Sequence, residues 1–429
     1  MPLLRRFAAL LLLSVVLVSA ACAPRADAPP ATSGTAFDNG LWFDGEGFVP
    51  GTWYAVDGTL TRTAPTVITQ RIDLQGGHAL PPFGEAHNHN LQNAWGVGQA
   101  HARYRDHGVM YAAMLCGNGE SAQAARDALG PAPGLDVLFA SACISSSDGH
   151  PLRMARTQPD GTLAPVEDIH DIGYIVMDTV ADVDRKWPLV RAAQPDLVKA
   201  ILVHSERPEH RHNPDMHGIN GLAPEVLAPL VRRAHAEGLR VVAHTESAAD
   251  FRTAVEAGVD WIGHLPGYRL WDGMDEADYR LDDASIRLAA EQGIAVVATA
   301  NLAEFSARGD AAALARAQAL QKDNLTRLID AGVVIAIGSD RYDATSLVEY
   351  DYLRGLGVMD EAALLRAMVE HTPRLLFPER RIGRIADGYE AHFLVLGGNP
   401  LVDPDAMRRI RHRVRHGRVM DEPRPSTSL

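Results

Sequence analysis

HALPPFGEAHNHNL, residues 78–91, runs from an apolar stretch into two histidines one residue apart, His87 and His89. Side chains at i and i+2 of an extended strand point the same way. At the C-terminal end of a strand the pair can therefore aim ring nitrogens at one ion about 2.0–2.1 Å away. Alone, the motif is weak, because His-x-His also occurs on polar surfaces. The rest of the chain decides between the two readings.

Between residues 79 and 379 one theme repeats: a short apolar run rich in Val, Ile and Ala, a polar loop, then a longer amphipathic stretch. The candidate strands are Ala79 to Phe83, Val109 to Leu115, Val137 to Ala142, Leu197 to Val203, Arg240 to Ala243, Trp261 to Gly263, Ile294 to Ala298 and Val333 to Ile337. They are apolar throughout rather than alternating, as a parallel sheet buried on both faces requires. Helical stretches lie between them. PEVLAPLVRRAHAEG (224–238) puts Val226, Leu227, Leu230, Val231 and Ala234 on one face, and a second helix is expected over 311–332. The expectation is an α/β chain: a (β/α)8 TIM-like barrel over 79–379. Flanking it, 36–78 and 380–420 carry Asp-Gly turns and alternating apolar residues, which predict one small β-sandwich domain formed by both chain ends.

Further polar residues stand where these strands end. Lys199 sits inside DLVKAILVH, where an unpaired ammonium is expensive to bury. RVVAHTE carries His244, WIGHLPG carries His264 and VVIAIGSD carries Asp340. Each alone reads as a cap or a core-edge polar group. As a set they resemble the amidohydrolase superfamily, in which strand 1 gives His-x-His, strand 4 a carboxylated lysine, strands 5 and 6 one histidine each and strand 8 an aspartate. The intervals between them leave room for three, one, one short and two βα units. The resemblance extends to RIGRIADGYEAHFLVLGGNPLVDP after the barrel, and one departure is Glu85, where the family commonly has an aspartate.

The resemblance implies two divalent ions, zinc above all. His87, His89 and Asp340 would hold one and His244 and His264 the other, with a CO2-derived carbamate on Lys199 and a hydroxide bridging them. It also implies that Asp340 is the catalytic proton shuttle. The activity implied is hydrolysis of an amide-type C–N bond in a dipeptide, N-acyl amino acid or cyclic amide, akin to the imidazolonepropionase-like and prolidase-like branch. Lactone, ester or phosphotriester hydrolysis is the alternative on the same site, and a lipid-anchored binding protein is the non-enzymatic one. A mononuclear deaminase would not need Lys199. Candidate contacts to a small-molecule substrate are His150 in SSSDGHP, and Arg207, Arg211 and Tyr268 after strands 4 and 6.

The 429 residues are 46% hydrophobic and 22% charged, enough for a large core. With 41 basic and 54 acidic residues the net charge is −13, which argues against nucleic-acid binding. Arg5-Arg6 followed by an apolar stretch reads as a signal peptide over 1–21. Ser19-Ala20-Ala21 before Cys22 resembles a bacterial lipobox, so Cys22 is expected to carry a lipid, with 22–35 as anchor and flexible tether. The expected location is the periplasm or outer envelope, with contact to the membrane only through that anchor. Cys116 and Cys143 are then left to form one bridge or to remain as two buried thiols.

Overall fold

The computed structural model describes residues 32–130, 134–158 and 160–420. The expected signal peptide, Cys22 and most of the tether lie outside the described residues. The chain opens with β1 (Ser33–Phe43), β2 (Phe48–Val56), β3 (Thr59–Thr61), β4 (Val67–Asp73) and β5 (His78–Leu80). It continues through β6 (Phe83–Asn88), β7 (Val109–Met114), β8 (Asp136–Phe139), β9 (Cys143–Ser145), β10 (Ile175–Val176), β11 (Val198–Ile201), β12 (Val241–His244), β13 (Trp261–Ile262), β14 (Ala295–Val297) and β15 (Ile335–Ala336). β16 (Phe393–Leu396), β17 (Ile410–Arg415) and β18 (Arg418–Val419) complete it.

β6 to β15 pair in parallel, in a seven-stranded sheet ordered β10-β9-β11-β12-β13-β14-β15 and a three-stranded sheet β6-β7-β8. The expected barrel would form one ladder, and here the ladders are two. Backbone bonds join them: Ala86 N–H donates to Ile337 O at 2.9 Å, Asp340 N–H to His87 O at 2.7 Å and Asp196 N–H to Phe139 O at 2.9 Å. β9 and β10 are additions that the apolar runs did not announce. β7 and β11 are buried along their whole length, as sheets covered on both faces demand. The covering helices carry apolar stripes. In Pro224–His235 the buried residues are Val226, Leu227, Leu230, Val231 and Ala234, spaced to face one side, and proline opens the helix where no N–H is needed. The long helix ends at Asp330, two residues short of the expected 332.

The expected first strand, Ala79 to Phe83, is in fact two strands. Pro81 and Pro82 have no N–H to give a ladder, so the chain changes sheets there: β5 joins the sheet of the chain ends and β6 starts the parallel set. The ends form one eight-stranded sheet, β18-β17-β16-β5-β1-β2-β3 with β4 beside β1, where a sandwich of two sheets was expected. Its core brings both ends together, with Phe37 and Trp42 from β1 against Phe393 from β16 at ring separations of 4.9 and 5.1 Å. Of the two possibilities for the cysteines, the bridge is present: a Cys116–Cys143 disulfide ties the end of β7 to the start of β9.

Candidate metal centre

Parallel strands deliver their C-terminal ends to one side, and that topology gathers the polar residues named above. His87 lies near the end of β6, with His89 just past it. Lys199 is in β11, His244 ends β12, His264 follows β13 and Asp340 follows β15. Gly338 permits this closeness, because a Cβ there would stand 2.6 Å from the backbone nitrogen of His87. Asp340 adopts φ 50°, a left-handed conformation that costs a non-glycine residue energy and is held by its N–H bond to His87 O.

Hydrogen bonds fix which ring nitrogen each histidine offers. His87 Nδ1 lies 2.7 Å from the Gly263 carbonyl, which can only accept, so Nδ1 carries the proton and Nε2 presents a lone pair. Thr299 donates its hydroxyl proton to Ala298 O and therefore accepts from His264 Nδ1 at 2.7 Å, freeing His264 Nε2 in the same way. His89 Nδ1 faces Gln92 Oε1 at 3.3 Å. The free Nε2 atoms converge on Asp340: 3.1 Å from His89, 3.8 Å from His87 and 3.9 Å from His264. Lys199 Nζ is 2.9 Å from His87 Nε2. His244, whose ring is 4.2 Å from that of His264, has Nε2 bonded to Glu246 at 3.2 Å. Its Nδ1 is buried and without a partner among the described residues. Lone pairs held by carbonyl and hydroxyl partners behind them are what metal ligation needs, so these residues fit divalent ions. The donor atoms of His87, His264 and Asp340 lie within 4.8 Å of one another.

The electrostatics agree with that reading. Burial, then the Lys199 charge, keeps His87 well below its ordinary range, and burial with His244 and His87 does the same for His264. Both are neutral imidazoles at pH 7. Burial pulls the Lys199 ammonium down to about 8, against the attraction of Asp340. Burial also works against ionisation of Asp340, yet His87, His89 and Lys199 outweigh it and hold the carboxyl far below the usual range. Behind the centre, burial pushes Glu85 up to about 8, although Ser339 donates to it twice at 2.8 Å and Asn88 once at 3.3 Å. Glu85 thereby braces both sides of the site, through β6 and the segment after β15.

A second cluster, Glu390, His392 and His416, also has donor atoms close together. Its atoms are already engaged: Arg380 grips both Glu390 oxygens at 2.8 and 2.6 Å, and His392 Nε2 meets His416 Nδ1 at 3.1 Å.

The centre opens into a cavity of about 270 Å³ whose wall includes His89, Lys199, His244, His264 and Asp340. His150 and Tyr268 are on this wall. Burial, with the His244 and Lys199 charges, holds His150 near 3, so it is a neutral donor or acceptor. Arg207 and Arg211 are not brought to it. Arg207 pairs with Asp278 at 3.1 Å, and Arg211 donates to Gly221 O at 2.7 Å and faces Asp148 at 3.5 Å. Their places are taken by Arg153 and Arg269, which sequence reasoning missed, as it missed Glu246 and Trp271. Glu246 alone left a local signal, standing at i+2 from His244 in HTE.

No family model matches the chain. Ochratoxinase of Aspergillus niger is 27% identical over 191 residues, which are 42% of this chain and 37% of that protein. The chain thus aligns with little more than a third of the length of the curated relatives it matches. Among solved structures, a Xaa-Pro dipeptidase with methionine in its active site superposes with a TM-score of 0.72 at 19% identity, covering 91% of this chain and 100% of that one. Aspergillus niger ochratoxinase gives 0.71 at 19%, covering 92% and 96%. Molinate hydrolase gives 0.67 at 20%, covering 93% and 99%. The chain shares the fold of these solved hydrolase structures.

Proposed function

We propose that the protein is a metal-dependent hydrolase of amide-type C–N bonds, with a small-molecule substrate bound in the cavity over the strand ends. One observation carries this reading: three histidines, each with a partner on Nδ1, direct Nε2 at the same aspartate beside a buried lysine. Similarity to ochratoxinase, a Xaa-Pro dipeptidase and molinate hydrolase supports the bond class. The backbone bonds from Ala86 to Ile337 and from Asp340 to His87 support a barrel closed between β6 and β15.

In this reading His87, His89 and Asp340 would hold one ion, His244 and His264 the other, and Lys199, as a carbamate, would supply a further ligand. Zinc suits the nitrogen-rich donor set. When bound, the ions supply a Lewis acid for the scissile carbonyl and lower the pKa of a water. Lys199 is suited to carboxylation because burial makes its neutral amine accessible near pH 8. Asp340 is the group placed to take a proton at its carboxylate and return it to the leaving nitrogen. His150, neutral and with its ring 5.4 Å from that of His244, can donate to a substrate carbonyl. The adjoining cavity of about 680 Å³, lined by Met154, Leu302, Phe305 and Tyr342, suits an apolar substituent. Export with a lipid on Cys22 belongs to the same proposal, because hydrolysis would then take place in the cell envelope.

Elemental analysis of protein purified with zinc and bicarbonate tests the centre. About two metals per chain are expected in the parent and fewer than one in Lys199→Ala, with cleavage of dipeptides or N-acyl amino acids lost in the variant. A parent that takes up no metal under these conditions sinks the reading.

A further inference from the structure

Glu246 lines the cavity beside the metal centre and is one of its two carboxylates, the other being Asp340. It is almost fully buried, at 6% exposure. Its Oε1 accepts from His244 Nε2 and from the Tyr268 hydroxyl, while Oε2 accepts only a long bond, 3.4 Å, from Trp271 Nε1. A carboxylate has about four acceptor positions, so Oε2 keeps one in reserve. Among the described residues its ion-pair partner within 4.0 Å is His244 alone. No lysine or arginine neutralises it, and a buried anion lacking a full cationic partner is costly to maintain. Two aromatic side chains, Tyr268 and Trp271, stand beside it on the cavity wall and donate to it from their edges, while the Trp271 face already carries the Arg269 guanidinium 4.4 Å from the ring centroid. Arg153 and Arg269 line the same cavity and give it positive charge, so the chamber is dipolar.

We propose that Glu246 anchors a cationic nitrogen of the substrate, so that the enzyme takes amides bearing a primary ammonium group near the scissile carbonyl in preference to N-acylated ones. The inference rests on the hydrolase reading above and selects among its substrate classes. Oε2 accepts from the ammonium, and the aromatic pair shields it from water. The carboxylate also supports His244 through Nε2, a positioning role that predicts different behaviour.

Calorimetry on the zinc-loaded protein separates the two roles, using leucinol and the matching alcohol that lacks the amine, neither of which contains an amide to cleave. The parent is expected to bind leucinol at least about tenfold more tightly. In Glu246→Gln the preference falls to about twofold or less with zinc content unchanged, and Glu246→Asp keeps part of it. Equal binding of both ligands by the parent overturns the proposal. So does a Glu246→Gln protein that loses zinc and weakens both ligands alike, which makes Glu246 a support for His244 only. Failure to hydrolyse any amide would overturn the hydrolase reading while leaving the amine preference measurable, so the two failures are distinguishable.

Discussion

In the proposed mechanism Lys199 is the residue on which the chemistry turns. Its burial costs the ammonium form, so the pKa falls to about 8 from an ordinary value near 10.4. Only the neutral amine reacts with CO2. At pH 8 about half of Lys199 is neutral, where an exposed lysine would be well under one part in a hundred. The sign is therefore fixed: uptake of metal by stripped protein in the presence of bicarbonate should accelerate as pH rises from 6 to 8 and level off above about 8.5. Stopped-flow metal uptake across that range measures it, and a rate that keeps climbing to pH 10 would mean that Lys199 keeps its ordinary pKa. The lysine and its company of histidines and aspartate were legible from apolar runs that end in a polar residue. The tautomers were not, because they depend on Gly263, Gln92 and Thr299, two of them far away in the chain.

Among elements, β7 and β9 show how connection substitutes for pairing. β9 does not pair with β7, yet the Cys116–Cys143 disulfide joins their ends beside the cavity. The bridge spans 27 positions, and closing a loop of that length restricts the unfolded chain by about 3–4 kcal/mol. Cys143→Ser should lower the urea midpoint accordingly, and the reduced parent should match it. If reduction leaves the midpoint unmoved, the bridge contributes nothing to stability. Both cysteines were visible as the ends of apolar runs, but whether they meet depends on how the two sheets are set, which no local pattern carries.

At the scale of the whole molecule, β16 couples the chain ends to the rest. Its sequence FLVL is buried at every position: Phe393 and Val395 face the core of the end sheet, Leu394 and Leu396 the core beneath the parallel strands. Successive side chains of a strand point to opposite faces, so one short strand serves two cores. Phe393→Ala should cost about 3–5 kcal/mol and Leu394→Ala about 2–5 kcal/mol. Both should shift one common unfolding transition in calorimetry. Two separated transitions in either variant would show that the sheets unfold independently.

The sequence by itself determined the α/β rhythm, the stripes of the helices, five polar residues at or near strand ends and a lysine within a strand. These follow from periodicity and from the cost of placing a charge next to an apolar run, which are local properties. Only the tertiary structure decided that Pro81-Pro82 hands the chain from one sheet to another, that Arg207 and Arg211 are spent on Asp278, Asp148 and Gly221, and that Glu246 turns toward the cavity. Each of those outcomes depends on partners remote in sequence. A hydrogen-bonding group takes the nearest satisfied geometry that the packed chain offers, and that geometry exists only once the chain is folded.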